Sequence, residues 1–529
     1  MAAPNPHSQL LQVFSSLNSD IYAFSSALRA DLDDLSQEIA SNKTLRIQLG
    51  SQQPPIWAPL HELWNNLTRL QSVGSGSDHT PSQHIYLVVS LAKFTRNLVA
   101  DVPFNQKNAF IIEPHIRQLI YLYTAWTKDG DESTFTVTRI LAQTLSNLVT
   151  GNQELIDQFW DVQMQTPEEK SILIRLTGLP DPRSLTSVLV LVMNCIYDSH
   201  ERGYTLVTTS IGVRVCVSIL DRLEGLLDCP ESGDEGKVFE LGYGLFSRLF
   251  QLGLFPEVYR RTSMQDEVIS PSQTTLLKLV DSFLQSIPAS FLDEGDHLRN
   301  LTAFLASVLL SQAENGRRAI QQVTGTPSPE PRATSDIRDS GGSVRRSSGG
   351  AVDLQLSGVC VALVLLSTSL SSILLAEREN GGGVTTDPDL VIPLVCVLHK
   401  HGDIALVLET LRSFDAFLPR INFGKVKPSY PHGDGGGGAP AQSAGEAGFS
   451  YLKRDLVRLL GILCYNNKAM QDRVRLCGGI PVVLNLCVID DRNPYLREHA
   501  LFAMRNLLHN NSENKAVVDT FRADEHVEL

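Results

Sequence analysis

A repeat of 44 residues near the end of the chain constrains the fold more than any other feature. Two segments carry apolar residues that step by 4, 3, 1 and 3 positions, which places each set on one face of a helix. The two sets are Leu452, Leu456, Leu459, Leu460 and Leu463, and Leu496, Ala500, Ala503, Met504 and Leu507. Asn467 and Asn511, in the turns that follow, are also 44 residues apart. A period of about 40–47 residues with two or three helices per unit is typical of armadillo and HEAT repeats.

The stretch between the two copies supplies the other helices of one armadillo unit. Gly478 and Gly479 end a helix, and Pro481 fits the start of the next. The apolar run 482–488 predicts a short, fully buried helix, and Pro494 is expected to open the long third helix. Lys453, beside the first apolar stripe, is expected to be exposed.

The stripe recurs nearer the N-terminus. Its members there are Leu87, Leu91, Phe94 and Leu98; Val137, Leu141, Leu145 and Leu148; and Val188, Leu191, Val192 and Cys195. Further helices are predicted at 205–228, 237–252, 273–287 and 297–312. The sequence therefore predicts an all-α, armadillo/HEAT-like α-solenoid with disordered insertions, in which each unit packs on its neighbours.

Composition suggests where the solenoid is interrupted. The predicted order is an irregular N-terminal helical cap (1–83), armadillo-like repeats (84–322), a disordered linker (323–352), helical repeats (353–422), a Gly-rich flexible loop (423–449) and a C-terminal armadillo domain (450–529). Residues 323–350 hold almost no large apolar side chain, so they bury too little surface to offset the entropy of ordering. Within the predicted loop, the flexible segment runs from Lys425 to Gly448 and contains four consecutive glycines from Gly435.

One apolar segment has two interpretations. Residues 354–376 carry no charge and are long enough to span a bilayer, which would make the chain a membrane-tethered adaptor. A helix buried on several sides of a solenoid is equally apolar. Six Ser and Thr residues follow Leu356, and they favour the buried helix.

Charge and cysteine content exclude some classes of function. The formal net charge of −13 argues against a nucleic-acid-binding protein, which needs a basic face. The eight cysteines form no CxxC pair, and most lie in apolar helical runs, as expected for reduced, buried thiols of a cytoplasmic protein. The N-terminal residues lack the pattern of a secretory signal.

The C-terminal repeats resemble one known family. The segments KRDLVRLLGILCYNNKAMQDRV, GGIPVVLNLCVIDDRNPYLREHALFAMRNLL and NSEN are similar to the C-terminal domain of ataxin-10 and its fungal homologues, over about the last 80 residues. Ile462 departs from the family motif, which usually has Asn there. The resemblance implies a cytoplasmic scaffold for protein–protein interaction, linked to cytokinesis, cell division and cell-survival signalling.

Motifs for catalysis or cofactors are missing from the sequence. No GxSxG, HExxH or nucleotide-binding fingerprint occurs, and the Gly-rich run lacks the Lys-Ser/Thr of a phosphate loop. We therefore expect no enzyme, no cofactor and no metal. Cys396, His399 and His401 offer the one alternative, a soluble metal-handling factor, although cations also suit a helix C-terminus.

Candidate partner-binding residues come from Arg-Asn-Leu and related steps on the third helices. They are Asn97, Asn147, Asn194, Arg505 and Asn506. An Asn amide on a third helix can pair with the backbone of an extended peptide. Alternatively, each Asn caps or bridges neighbouring repeats. The Trp that importin-alpha-type receptors place one turn earlier is missing, so an import receptor is disfavoured.

The predicted linker also carries candidate phosphorylation sites. Thr326 and Ser328 precede prolines, and Ser348 follows two arginines. A phosphate would add about −1.5 to −2 charges at each site. Other proteins are the expected partners, their identity is open, and self-association is left open as well.

Overall fold

The computed structural model describes residues 6–21, 26–73, 81–125, 132–230, 232–286, 295–324, 349–380, 403–418, 420–422, 425–427, 451–491 and 493–525. These residues are helical apart from turns and one β-hairpin, which confirms the predicted all-α class. The chain consists of two compact units, Met1–Arg261 and Thr262–Leu529, which are described separately.

The first unit is a series of helices joined by short turns. Its α-helices are α1 (Pro6–Ser19), α2 (Ser26–Ser41), α3 (Lys43–Ser51), α4 (Trp57–Val73), α5 (Pro81–Val99), α6 (Pro103–Ala109), α7 (Glu113–Tyr123), α8 (Glu132–Val149), α9 (Gln153–Gln165), α10 (Ile172–Thr177), α11 (Pro182–Ile196), α12 (His200–Thr208), α13 (Ser210–Glu224), α14 (Asp234–Gln251) and α15 (Phe255–Arg261). Short 3₁₀ turns occupy Phe110–Ile112 and Glu168–Lys170.

Helices of the first unit pack on the helices three places along the chain. Helices α2, α5, α8, α11 and α14 stack in one row, and α1, α4, α7, α10 and α13 stack in another. This is the armadillo arrangement, with three helices per unit and equivalent helices side by side. Because α1 to α4 obey the same rule, the prediction of an irregular cap over 1–83 is wrong there: the described part of this segment continues the repeat.

The predicted apolar stripes form the core of this unit. All twelve stripe residues from Leu87 to Cys195 are at most 1% exposed. At about 25 cal/mol per Å² of apolar surface removed from water, this shared core is the main stabilising contribution to the stacked rows. The repeat register inferred from the sequence is therefore confirmed in α5, α8 and α11.

The single helix predicted at 205–228 is two helices that meet at 83°. Thr209, in an extended conformation, separates them, and its Oγ1 accepts a hydrogen bond (3.2 Å) from the amide of Gly212. A Cβ on Gly212 would lie 2.0 Å from the carbonyl oxygen of Leu206, so the sharp corner requires glycine. The sequence predicted one helix because Thr209, the N-cap of the second helix, lies inside an apolar run and does not interrupt the hydrophobic pattern.

The second unit contains longer helices. They are α16 (Pro271–Gln285), α17 (Gly295–Thr324), α18 (Gly349–Asn380), α19 (Asp403–Phe417), α20 (Leu452–Leu463), α21 (Lys468–Leu476), α22 (Gly479–Asn485), α23 (Leu496–Leu508) and α24 (Ser512–Glu525). Helix α17 is longer than the predicted 297–312, and α17 and α18 reach into both ends of the predicted linker. Residues 325–348 lie outside the described part of the chain.

The long apolar segment is a packed helix of the second unit. Residues 355–376 within α18 have a mean hydropathy of 2.3, and they form the one helix in the described residues that is long and apolar enough to cross a membrane. Helix α18 packs against α16, α17 and α20. Its neighbour α16 holds it by polar contacts too, because the hydroxyls of Thr368 and Ser369 donate to Asp281 (2.8 and 3.1 Å). Packing within the solenoid accounts for the apolar composition.

A β-hairpin interrupts the segment predicted as a loop. Strands β1 (Arg420–Asn422) and β2 (Lys425–Lys427) pair antiparallel, with Ile421 opposite Val426. The loop prediction from Lys425 is therefore wrong for the first three residues. The reason is tertiary: Ile421 donates its amide to Asp490 (3.2 Å) and accepts a hydrogen bond from the amide of Asp491 (2.8 Å). The run from Gly435 lies outside the described residues.

The 44-residue period is visible in the backbone of the C-terminal repeats. Tyr451 and Tyr495 precede α20 and α23 with φ of 74° and 64°, and Asn466 and Asn510 have φ of 50° and 51°. Side chains repeat as well. The Oδ1 atoms of Asn467 and Asn511 accept hydrogen bonds from Met470 and Asn514 amides, both 3.1 Å, and so cap α21 and α24.

Two details of the predicted C-terminal unit are wrong. The long third helix starts at Leu496, because Tyr495 is left-handed, and Pro494 therefore lies outside it. The buried helix ends at Asn485, and Val488 is 41% exposed. Gly478 is left-handed (φ 66°) and follows the end of α21, as predicted, but α22 already begins at Gly479, and Pro481 therefore lies within its first turn.

Candidate partner-binding site

The predicted Asn residues all form hydrogen bonds between neighbouring third helices. The Nδ2 of Asn97 donates to the Ser36 carbonyl (2.8 Å), and that of Asn147 donates to the Arg96 carbonyl (3.1 Å). Each bond joins one third helix to the preceding one, and this geometry corresponds to the bridging role.

The other two Asn residues behave in the same way. Asn194 Nδ2 donates to the hydroxyl of Ser146 (3.1 Å), and Asn506 Nδ2 donates to the Gly461 carbonyl (2.9 Å). Asn506 is only 4% exposed, whereas its neighbour Arg505 is exposed. Among the predicted partner-binding residues of the C-terminal domain, Arg505 therefore presents its side chain to solvent. Partner binding by the Asn residues stays a prediction.

Lys453 is the residue that sequence reasoning placed wrongly. It is fully buried, not exposed, and its Nζ lies 3.1 Å from Asp415 Oδ1 and 3.0 Å from Asp490 Oδ2. Asp415 also accepts hydrogen bonds from Arg420 Nη2 (3.1 Å) and Asn485 Nδ2 (3.0 Å). We call Lys453, Asp415, Asp490 and Arg420 the buried ion cluster. It ties α19, the hairpin, α20 and the turn before α23 together.

The partners of Asp490 stabilise its negative charge in the protein interior. Its carboxylate accepts from the Ile421 amide and from Asn493 Nδ2 (2.9 Å), in addition to Lys453. Burial alone would raise the pKa of Asp490, but the Lys453 ammonium and these hydrogen bonds outweigh burial and lower it below its usual value. The carboxylate is therefore ionised at neutral pH, which makes removal of its cation costly.

Exposed large apolar side chains are concentrated in the C-terminal repeats. Nine of the seventeen such residues in the described part of the chain lie within 451–521. They are Tyr451, Tyr465, Leu476, Val488, Ile489, Tyr495, Leu501, Phe502 and Phe521. This concentration in 71 residues is unlike the scattered exposure of single apolar residues that every protein shows. The C-terminal domain therefore carries more than half of the exposed large apolar side chains of the described residues.

The alternative metal site and the candidate phosphorylation sites lie outside the described residues. Their residues are Cys396, His399 and His401, and Thr326, Ser328 and Ser348. Within the described residues, no group of three or more His, Cys, Asp or Glu is placed to hold a metal ion. The described cysteines are free thiols, and burial raises the pKa of Cys195 and Cys216 to about 12. These two thiols are protonated and unreactive at neutral pH.

Comparison with known proteins locates the family signal at the same C-terminal domain. The model of the spinocerebellar ataxia type 10 protein domain matches residues 452–528. The ataxin-10 homolog of Dictyostelium discoideum is 43% identical over 71 residues, and that of Kluyveromyces lactis is 39% identical over 83 residues. These alignments cover 13% and 16% of this chain, and 12% and 16% of the relatives.

Similarity over the whole chain is weaker. The crystal structure of SYS-1 aligns over 95% of this chain and 90% of its own, with a TM-score of 0.34 and 12% identity. The stacked three-helix units described above establish the armadillo-like fold independently of this alignment. The matched part of the chain spans less than a fifth of the length of the ataxin-10 relatives, and it coincides with the repeats that carry the exposed apolar residues. The C-terminal domain of this chain therefore belongs to the ataxin-10 family.

Proposed function

We propose that the chain is a non-catalytic scaffold that binds other proteins, and that its C-terminal domain makes the principal contact. The observation that carries this proposal is the concentration of exposed apolar side chains within 451–521. Exposed apolar area of this kind is costly in water unless a partner covers it. The armadillo-like rows of helices supply a rigid support for such a surface.

The family relationship gives the proposal its cellular context. By similarity to ataxin-10, we propose a cytoplasmic role in cytokinesis and cell-survival signalling. The described cysteines are free, and Cys195 and Cys216 among them are buried and unreactive, which is consistent with a reducing compartment. Depletion of the protein should then increase the fraction of multinucleate cells, and a normal count of nuclei would argue against the cytokinesis role.

The scaffold role is tested with full-length protein and surface variants. Leu476→Ser and Tyr495→Ser alter side chains that are 72% and 68% exposed in the C-terminal domain. Phe104→Ser and Ile111→Ser change side chains that are 55% and 58% exposed in the first unit, and they are the matched controls. Affinity purification with quantitative mass spectrometry should show partner proteins that are depleted by the first pair alone. Equal recovery with all four variants would contradict the proposal.

A further inference from the structure

The outward faces of α20 and α23 carry aromatic and basic side chains in matched steps. Tyr451, Arg454 and Arg458 lie at the start of α20 and along it. Tyr495, Phe502 and Arg505, with the acidic Glu498, lie at the start of α23 and along it, at positions 44 residues on or one turn further. We call these seven residues the α20–α23 face. Tyr451 and Tyr495 are 41% and 68% exposed, and Phe502 is 38% exposed. The face is thus exposed at the start of both helices and along α23, and half-buried at Arg454 and Arg458 on α20.

Contacts across the two helices show that the members form one surface. A Cβ on Gly461 would lie 2.9 Å from Phe502 Cδ1 and 3.0 Å from Ala503 Cα, so glycine lets the helices approach closely and Phe502 lies against α20. Arg454 lies over the Tyr451 ring, 4.2 Å from its centroid. Burial, and after it the positive charges of Arg458 and Arg454, lower the pKa of His499 on α23. The cations of α20 therefore lie near α23.

The face is basic on an acidic protein. The chain has 45 basic and 58 acidic residues, but 451–521 has ten basic and seven acidic ones. Asp455 is already engaged by Arg454 through two hydrogen bonds (2.8 and 2.9 Å). Among the described residues, Arg458 and Arg505 form no salt bridge. These guanidinium groups are thus available for carboxylates, which they can bind through two parallel hydrogen bonds.

We propose that the α20–α23 face binds an acidic, extended segment of a partner protein, with carboxylates on Arg458 and Arg505 and apolar side chains on Tyr495 and Phe502. This inference rests on the proposed scaffold function. Charge complementarity selects an acidic occupant. A protein is favoured over a nucleic acid because a nucleic acid carries a phosphate charge at every nucleotide, so the net charge of −13 repels it more strongly than a short segment with a few carboxylates.

The test uses full-length protein on an array of random 12-residue peptides, followed by fluorescence polarisation with the best binders. Two variants probe the face: Arg505→Glu and Tyr495→Asn, the latter chosen because Asn tolerates the left-handed backbone. Lys468→Glu is the control, since it makes the same charge change in the same domain on α21, outside the face, with a side chain 62% exposed. Circular dichroism confirms that each variant is folded.

The expected result is that bound peptides are enriched in Asp and Glu alternating with apolar residues. Arg505→Glu should weaken their binding by on the order of tenfold at low salt and Lys468→Glu by less than about twofold, and the difference should shrink at high ionic strength. Binders without acidic enrichment, no binders, or equal loss with Arg505→Glu and Lys468→Glu would overturn the inference. Tighter binding of a single-stranded 20-nucleotide DNA that Arg505→Glu abolishes would overturn it too. The scaffold proposal is judged separately, by the purification experiment, in which Leu476→Ser alters a side chain on α21 outside the α20–α23 face.

Discussion

Replacement of Lys453 by Ala should destabilise the second unit far more than a surface lysine would. The ammonium group is fully buried between two carboxylates at 3.1 and 3.0 Å. After the substitution, Asp415 keeps Arg420 and Asn485, whereas Asp490 loses the ammonium group 3.0 Å from its carboxylate and keeps its hydrogen bonds from Ile421 and Asn493. Breaking a buried ion pair by removing one partner costs about 3–5 kcal/mol, because an uncompensated charge stays in the interior.

The repeat supplies the matched control for this variant. Arg497 is 44 residues after Lys453 and occupies the same step of the next third helix, yet its side chain is exposed. Arg497→Ala should therefore change stability by no more than about 0.5 kcal/mol. Hydrogen exchange of the full chain should show faster exchange over 403–418 and 451–491 in Lys453→Ala alone, with the first unit unchanged.

The loss in Lys453→Ala should also depend on pH. In the native protein the folded-state pKa of Asp490 is lowered, so its stabilising contribution is present above the unfolded pKa of about 3.9 and is lost as pH falls through the folded value. Without the Lys453 ammonium, which offsets burial in the native protein, the pKa of Asp490 should rise, so the destabilisation should be largest at neutral pH and shrink as the carboxylate is protonated on acidification. Urea unfolding followed at pH 7 and pH 4.5 measures this. Equal effects of Lys453→Ala and Arg497→Ala, at both pH values, would refute the assignment of the ion cluster.

Three further changes test the packing. Leu460→Ala truncates a stripe side chain that is 1% exposed, and it should lower the free energy of unfolding in urea by about 2–5 kcal/mol. Leu476→Ala, at a side chain that is 72% exposed, should change that free energy little, and similar losses in both variants would invalidate the repeat register. Gly461→Ala places a Cβ 3.0 Å from the Cα of Ala503 and should lower the free energy of unfolding by about 1–3 kcal/mol, which hydrogen exchange would show as faster exchange in α20 and α23. Unchanged exchange in the variant would show that the two helices are further apart. Burial and the neighbouring His61 lower the pKa of His115 in the folded first unit. Acidification below the unfolded His pKa of about 6.5 should therefore protonate the unfolded chain first and lower the melting temperature. His115→Gln should remove that pH dependence, and its persistence in the variant would exclude His115 as the cause.

Apolar periodicity predicted the rows of third helices because burial of those side chains is the main force that forms them. Leu87, Val137 and Val188 were assigned from spacing alone, and each is buried in the row expected for it. Periodicity failed where a local cap overrides it, as at Thr209, whose hydroxyl accepts from Gly212 inside an apolar run. It also missed that α1 to α4 are regular units, although α4 has the same kind of buried stripe at Leu60, Leu63, Trp64 and Leu67.

The hairpin shows a second kind of failure. A strand of three residues has little intrinsic stability, and β1 and β2 are held by contacts with Asp490 and Asp491, almost 70 residues away. No local pattern contains that information. For the Asn residues, the sequence could only offer two alternatives, because an amide that can bind a peptide backbone can equally bind the backbone of the next helix. The structure shows that Asn147 donates to the Arg96 carbonyl.

Lys453 and Arg497 show how a repeat can conserve position while changing environment. Both follow the first stripe residue of a third helix, and sequence periodicity treats them alike. Lys453 is buried because Asp415 and Asp490 reach it from α19 and from the turn before α23. Arg497 lies on the last third helix of the described chain and is exposed. One repeat position thus carries a buried ion in α20 and a solvated cation in α23, because neighbouring elements bring carboxylates to Lys453, whereas Arg497 is exposed to solvent.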